Sequence, residues 1–175
     1  MSAYGSFAVW ITGLPSSGKS TIAAALVDVL RSRGVLPVTL ESDVLRQVLT
    51  PEPSYTSDER DRFYRQMAEL GALIVRCGVP VIFDATANRR AYRDHARSVI
   101  PRFIEVAVTT PFDLCRTRDA KGLYAAASSG RTTSVPGIQA AYEPPLSPDA
   151  SVDGSSSAPE SARTIMGVLI ARSFL

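Results

Sequence analysis

The sequence predicts an α/β fold: a parallel sheet of about five strands flanked by helices, with a mobile lid. Three observations lead there. Short apolar runs alternate with helical stretches along the chain, which means a parallel sheet covered on both faces. A glycine-bearing loop joins the first apolar run to the first helix. Acidic residues follow the second and end the third apolar run, at the carboxyl edge where such sheets bind ligands.

The elements follow in order. Phe7 to Thr12 is a short apolar run that stops at glycine and reads as a buried strand. Lys19 to Arg33 has helical composition and ends before Gly34. Val35 to Leu40 reads as the second strand. Ser57 to Cys77 carries apolar residues at helical spacing and ends at Gly78. Val79 to Asp84 is the third strand, with its proline near the start, where a missing donor is tolerated. Ala91 to Ile100 reads as helix, Phe103 to Thr109 as the fourth strand, and Phe112 to Asp119 as a further helix. Ala150 to Asp153 gives a short fifth strand and Ser161 to Ala171 a closing helix. Two stretches look irregular. Lys121 to Pro148 is rich in small residues, glycine and proline, with few large apolar anchors, and reads as a mobile flap. Ser147 to Ala162 reads as a flexible surface connection.

The 175 residues fit one domain, residues 1–175, with the lid at about 121–148. Hydrophobic residues at 45% and charged residues at 21% allow a full core and a soluble surface. A net charge of +2 is too weak to argue for nucleic acid. Cys77, Cys115 and the single His95 are too few for a disulfide framework or a zinc site. No apolar run is long enough to span a membrane, and the first residues lack a signal-peptide pattern. The expected setting is soluble and cytoplasmic, with no nucleic-acid or membrane partner, and a homodimer is left open. Of the 19 basic residues, all but Lys19 and Lys121 are arginine. Lysine supplies a compact ammonium where arginine supplies a planar fork, so both positions are candidates for a function.

Lys19 lies in Gly13-Leu-Pro-Ser16-Ser17-Gly18-Lys19-Ser20-Thr21, which has the spacing of a phosphate-binding loop between strand and helix. That makes the expected fold a P-loop NTPase. The glycines let successive N–H groups point at phosphate oxygens, and the helix N-terminus adds a favourable field. Lys19 reaches the β- and γ-phosphates of ATP, and the Ser20 hydroxyl serves Mg2+. The chain is too short for most motor or transporter machines and has no Asn-Lys-x-Asp for guanine.

Two carboxylates are candidates for catalysis. Asp43 follows the second strand in Glu41-Ser-Asp-Val-Leu-Arg46, placed to take a proton from an acceptor hydroxyl or to help hold Mg2+. Arg46 sits one helical turn on and can grip an anion with its fork. Asp84 ends the third strand, the usual position of a second magnesium element. Either can be the base; Asp43 is favoured. Each can also be an ordinary helix-capping aspartate.

The chain resembles the adenylylsulfate kinases of sulfate assimilation. The residues that carry the resemblance are Val9 to Ala23, then Cys115-Arg-Thr-Arg118-Asp-Ala-Lys121-Gly122-Leu123-Tyr124, Gly137-Ile138 and Tyr142-Glu-Pro144. The pattern can be laid from about Phe7 to Asp153 without a gap. The resemblance implies that Asp43 is the catalytic acid. It implies that Arg46, Arg60 and Tyr55 line the acceptor pocket, and that Lys121, Gly122, Leu123 and Ile138 form a flap over it. Arg118 would lie near the ATP. The implied reaction is transfer of the γ-phosphoryl group of ATP, with Mg2+, to the 3′-hydroxyl of adenylylsulfate, a small anionic acceptor.

Four positions depart from the family pattern. Glu41 replaces the first acid of Asp-Gly-Asp, Phe63 an asparagine that contacts the substrate, Ala87 a serine, and Val135 a phenylalanine that stacks on adenine. Stacking on an aromatic ring is worth ~1–3 kcal/mol per base, and valine has no such face. Asp84-Ala-Thr-Ala-Asn-Arg-Arg also looks like a segment of polynucleotide-kinase-like P-loop enzymes. A same-fold kinase with another nucleotide-linked or phosphorylated sugar acceptor is therefore the alternative, and a nucleotide-binding regulatory module without turnover is a third reading.

Overall fold

The computed structural model describes residues 6–119, 122–130 and 135–175. Five strands form one sheet in the order β2-β3-β1-β4-β5: β1 (Ala8–Thr12), β2 (Val38–Glu41), β3 (Val81–Asp84), β4 (Phe103–Val108) and β5 (Ala150–Val152). Every pairing is parallel. Among the described residues seven helices connect and cover them: α1 (Lys19–Ser32), α2 (Ser42–Leu49), α3 (Ser57–Arg76), α4 (Arg90–Val99), α5 (Phe112–Arg118), α6 (Leu123–Ser128) and α7 (Ala158–Ala171). The expected α/β architecture is the observed one.

Side chains alternate along β1, so the sheet feeds two cores. Val9 and Ile11 pack with Leu26 of α1, Ile104 and Val106 of β4, and Leu169 of α7. Ala8 and Trp10 pack on the other face with Met67 of α3, Phe83 of β3 and Ala96 of α4. Trp10 and Phe83 stack with ring centroids 4.5 Å apart, and the Trp10 indole N–H donates to the Ala85 carbonyl at 3.1 Å.

Element boundaries move for local reasons. The second strand starts at Val38, not Val35, because the Val35 N–H turns back to the Leu30 carbonyl at the end of α1. Likewise Val79 N–H donates to Ile74, so the third strand begins at Val81. The closing helix starts at Ala158, three residues early, with a proline in its first turn, where no N–H is needed. Half of the 147–162 stretch is thus β5 and the start of α7, which corrects the expectation of a flexible connection throughout.

The flap also needs correction. Its described residues include α6 and several anchors. Tyr124 and Val135 are buried, and Tyr142 shares a hydrogen bond with the Thr12 hydroxyl at 3.2 Å. Asn88 donates to the Ala141 carbonyl at 2.9 Å. Arg93, 1% exposed, donates to the Glu143 carbonyl at 2.6 Å, to the carbonyl of Ala87, and to Glu105 at 2.5 Å. A buried guanidinium tolerates removal from water only when its donors are met, and these acceptors meet them. The expected scarcity of anchors fails because they bind residues far away in sequence.

Candidate active site

The carboxyl ends of β1, β2 and β3 open into one cleft of about 1050 Å³. β1 lies between β3 and β4, and the chain passes from its end into the phosphate loop and α1. Gly18 caps α1 with a φ of 101°, a left-handed conformation natural to glycine. The first turn of α1 contains no acidic residue, so no side chain of that turn competes for its N–H groups. Lys19 Nζ donates to the carbonyls of Gly13 at 3.2 Å and Leu14 at 2.8 Å. The ammonium thus lies against the loop it belongs to.

Three residues outside the motif fix this loop. The Thr110 hydroxyl, just past β4, donates to the Ser17 carbonyl at 2.7 Å. Tyr124 on α6 donates to the Pro15 carbonyl at 2.9 Å. Gly154, after β5, lies so close that a Cβ there would sit 2.1 Å from both the Ser17 carbonyl oxygen and Thr110 Oγ1. Arg118 donates to the Gly154 carbonyl at 2.9 Å, which closes the ring of contacts. Burial, with the neighbouring Cys115 and Asp119, pushes the Tyr124 phenol up to about 12, so it stays a donor. Burial also pushes the Cys115 thiol up, away from a reactive thiolate.

The acidic side is set by strand register. Glu41 and Asp84 are direct partners across β2 and β3, and Asp84 pairs in turn with Ile11 of β1. Asp43 sits in the first turn of α2, beside the Glu41 cap. Glu41, Asp43 and Asp84 all line the cleft with Lys19 and Ser20. Among the described residues no group of three or more His, Cys, Asp or Glu could hold a metal on its own. The hard oxygens of Ser20, Asp43 and Asp84 nevertheless suit Mg2+, which keeps waters and takes one or two carboxylates together with substrate phosphates.

The opposite wall carries two guanidinium groups. Arg46 on α2 and Arg60 on α3 are each only 9% exposed and both line the cleft. Arg46 lies over the ring of Phe63, 3.9 Å from guanidinium carbon to centroid, and 5.1 Å from the centroid of Tyr55. Glu59 accepts from Arg46 and also from the Ser54 hydroxyl at 2.8 Å and the Tyr55 N–H at 2.7 Å. Burial pushes the Glu59 carboxyl up, but the bonds from Ser54 and Tyr55 and the Arg46 charge outweigh it, and the net shift is downward. Thr56 caps α3 by accepting from Glu59 N–H, so one glutamate ties the helix start to the arginine.

Most of the expected site residues meet here. Ser16, Gly18, Lys19, Ser20, Thr21, Asp43, Arg46, Tyr55, Arg60, Asp84, Arg118 and Leu123 all line the cleft. Gly13 and Ser17 lie beneath the loop, buried. Gly122 caps α6 and does not line the cleft. Ile138 faces elsewhere: it lines a second cavity of about 740 Å³ with Leu14, Phe112 and Tyr142. Lys121 lies outside the described residues. Val135, at the position of the expected adenine stack, is buried and lines the cleft. Sequence reasoning missed Thr110, Gly154 and Tyr64. Polar residues after β4 and a glycine after β5 were the available signals for the first two; Tyr64 gave none.

A parallel sheet, a phosphate loop at its switch point and carboxylates on the adjoining strand ends define a P-loop phosphotransferase fold. The adenylylsulphate kinase family model matches residues 5–153. The chain is 39% identical to the adenylyl-sulfate kinase of Rippkaea orientalis over 141 residues, 81% of this chain and 78% of that protein. It is 35% identical to the chloroplastic adenylyl-sulfate kinase 1 of Arabidopsis thaliana over 171 residues, 95% of this chain and 62% of that protein. Among solved structures, the APS kinase of Mycobacterium tuberculosis in complex with AMPPNP and APS superposes with a TM-score of 0.90. That pair is 32% identical, covering 95% of this chain and 99% of the other. The chain belongs to the adenylylsulphate kinase family. No helix among the described residues is long and apolar enough to cross a membrane.

Proposed function

We propose that this protein transfers the γ-phosphoryl group of ATP to the 3′-hydroxyl of adenylylsulfate. The observation that carries the reading is a single cleft with a phosphate loop at one end and two buried arginines at the other. The relatives named adenylyl-sulfate kinase favour this acceptor over another nucleotide-linked or sugar acceptor.

Each residue has a part. The N–H groups at the start of α1 and the Lys19 ammonium hold the β- and γ-phosphates as charge builds on the transferring group. Arg118 lies beside the loop on the nucleotide side. Asp43 takes the proton of the acceptor hydroxyl as its oxygen attacks phosphorus, and ADP leaves with the bridging oxygen's electrons. Ser20 and Asp43, with Asp84 nearby, would hold Mg2+, whose chemistry is to neutralise phosphate charge. Arg46 and Arg60 hold the anionic end of the acceptor, with Tyr55 beside them. Residues 1–175 act as one domain, and the stretch over 121–148 is the cover that keeps water from taking the phosphoryl group.

ADP release by purified protein, followed with a panel of acceptors, tests this. Adenylylsulfate should stimulate release far above the rate with water alone. Equal stimulation by a phosphorylated sugar, and none by adenylylsulfate, would move the assignment to the alternative acceptor.

A further inference from the structure

The acceptor wall contains a buried hydrogen-bond donor that the proposed mechanism does not use. Tyr64 on α3 is 7% exposed and lines the cleft. Among the described residues its hydroxyl makes one hydrogen bond, and there it is the acceptor, from the Ala87 N–H at 3.3 Å. Its own proton therefore has no protein acceptor among them. Leaving a buried donor unmade costs more than a typical hydrogen bond contributes, so a group in the cleft is the expected partner.

The ring is held in place. It stacks on Tyr92 with centroids 4.6 Å apart and meets the edge of Phe63 at 5.2 Å. The oxygen is tied to the backbone by the Ala87 N–H, which donates to it. Burial raises the phenol's pKa and keeps it protonated, with the charges of Arg46, Arg60 and Asp43 all within reach of it. Its neighbours Phe63 and Ala87 offer no polar side chain, and the Tyr92 hydroxyl donates to Asp61 at 2.6 Å.

A neutral donor beside two guanidiniums suits an oxyanion and adds direction to a site otherwise built on charge. We propose that Tyr64 determines acceptor specificity by donating a hydrogen bond to the phosphosulfate end of adenylylsulfate, alongside Arg46 and Arg60. This rests on the acceptor assigned above. The hydroxyl supplies its proton from one direction while the fork of Arg46 grips from another, so an acceptor without that anion gains nothing from it.

Calorimetric titration of the wild type and of Tyr64→Phe tests the proposal. Phenylalanine keeps the ring stack and removes only the hydroxyl. The probes are adenylylsulfate, adenosine, which has the base and ribose without the anion, and a non-hydrolysable ATP analogue. Losing a hydrogen bond to a charged group should weaken adenylylsulfate by about tenfold or more, with adenosine and the ATP analogue within about twofold of wild type. Equal affinity for adenylylsulfate in both proteins overturns the role of Tyr64 and leaves the acceptor assignment standing. A parallel loss for adenosine or for the ATP analogue also overturns it, since the hydroxyl would then act through the shape of the wall. A wild type that binds no adenylylsulfate overturns both readings.

Discussion

The guanidinium of Arg46 lies over the ring of Phe63, 3.9 Å from carbon to centroid, and donates to Glu59. The two contacts do different things. The ring supports the fork, and the carboxylate ties it to the start of α3. Phe63 stands where the family resemblance leads one to expect asparagine. The structure gives the replacement a use, because the ring is a platform under an arginine that lines the cleft.

Phe63→Leu keeps the apolar volume and removes the platform. A partly desolvated cation–π contact is worth about 1–2 kcal/mol, so the KM for adenylylsulfate should rise about five- to thirtyfold. The KM for ATP should stay near wild type. Steady-state kinetics with each substrate varied in turn check this; a rise in the ATP constant alone would mean that Arg46 serves the nucleotide.

Lys19→Arg should abolish turnover, and Lys19→Ala likewise. The Lys19 ammonium fits against the carbonyls of Gly13 and Leu14, where a planar fork is too large. Near-normal turnover of the arginine variant would show that the loop does not enclose phosphate in the manner described.

Asp43→Asn should cut turnover by ~10²–10⁴-fold, the usual contribution of a general base. ATP-analogue binding, followed by fluorescence or calorimetry, should change little. A loss below about tenfold would move the role to Asp84, whose carboxylate ends the neighbouring strand.

Gly154→Ala should disturb the phosphate loop from outside the motif. The new Cβ would meet the Ser17 carbonyl and Thr110 Oγ1 at 2.1 Å, and a backbone atom cannot swing aside as a side chain can. The expected result is a lower melting temperature and a raised KM for ATP, with the KM for adenylylsulfate less affected.

Glu59 links stability to pH. Its folded pKa lies below the ordinary 4.5. Its contribution is therefore fully present above that value and is lost as pH falls through the folded pKa. Wild type should melt above Glu59→Gln at neutral pH, and the gap should close as the pH drops below 4.5. Thermal melts across that range check the sign; a gap that widens on acidification would contradict it.

Much of the fold and half of the cleft were legible in the sequence, for a physical reason. Apolar runs such as Ala8–Thr12 and Phe103–Val108 are buried on both faces, so they stand out without any tertiary information. The phosphate loop is local too: strand, glycines, lysine and helix lie within fifteen residues, from Ala8 to Ile22. What escaped is the set of long-range contacts. Tyr124 reaches Pro15 across 109 positions and Thr110 reaches Ser17 across 93, and neither pairing leaves a local pattern. The small-residue composition of α6 therefore suggested weak packing while Tyr124, on the same helix, was buried against the loop. Ile138 lines the second cavity for a related reason. Motif spacing locates a residue on a segment, whereas the backbone path decides which cavity it faces.

The central claim is the identity of the phosphorylated product, and phosphorus NMR of the reaction mixture tests it most directly. Purified protein with ATP, Mg2+ and adenylylsulfate should consume ATP and yield ADP and a new phosphomonoester signal coupled to the ribose 3′ proton, with the phosphosulfate signal retained. A mixture in which ATP falls to ADP and free phosphate, with adenylylsulfate untouched, would contradict the account.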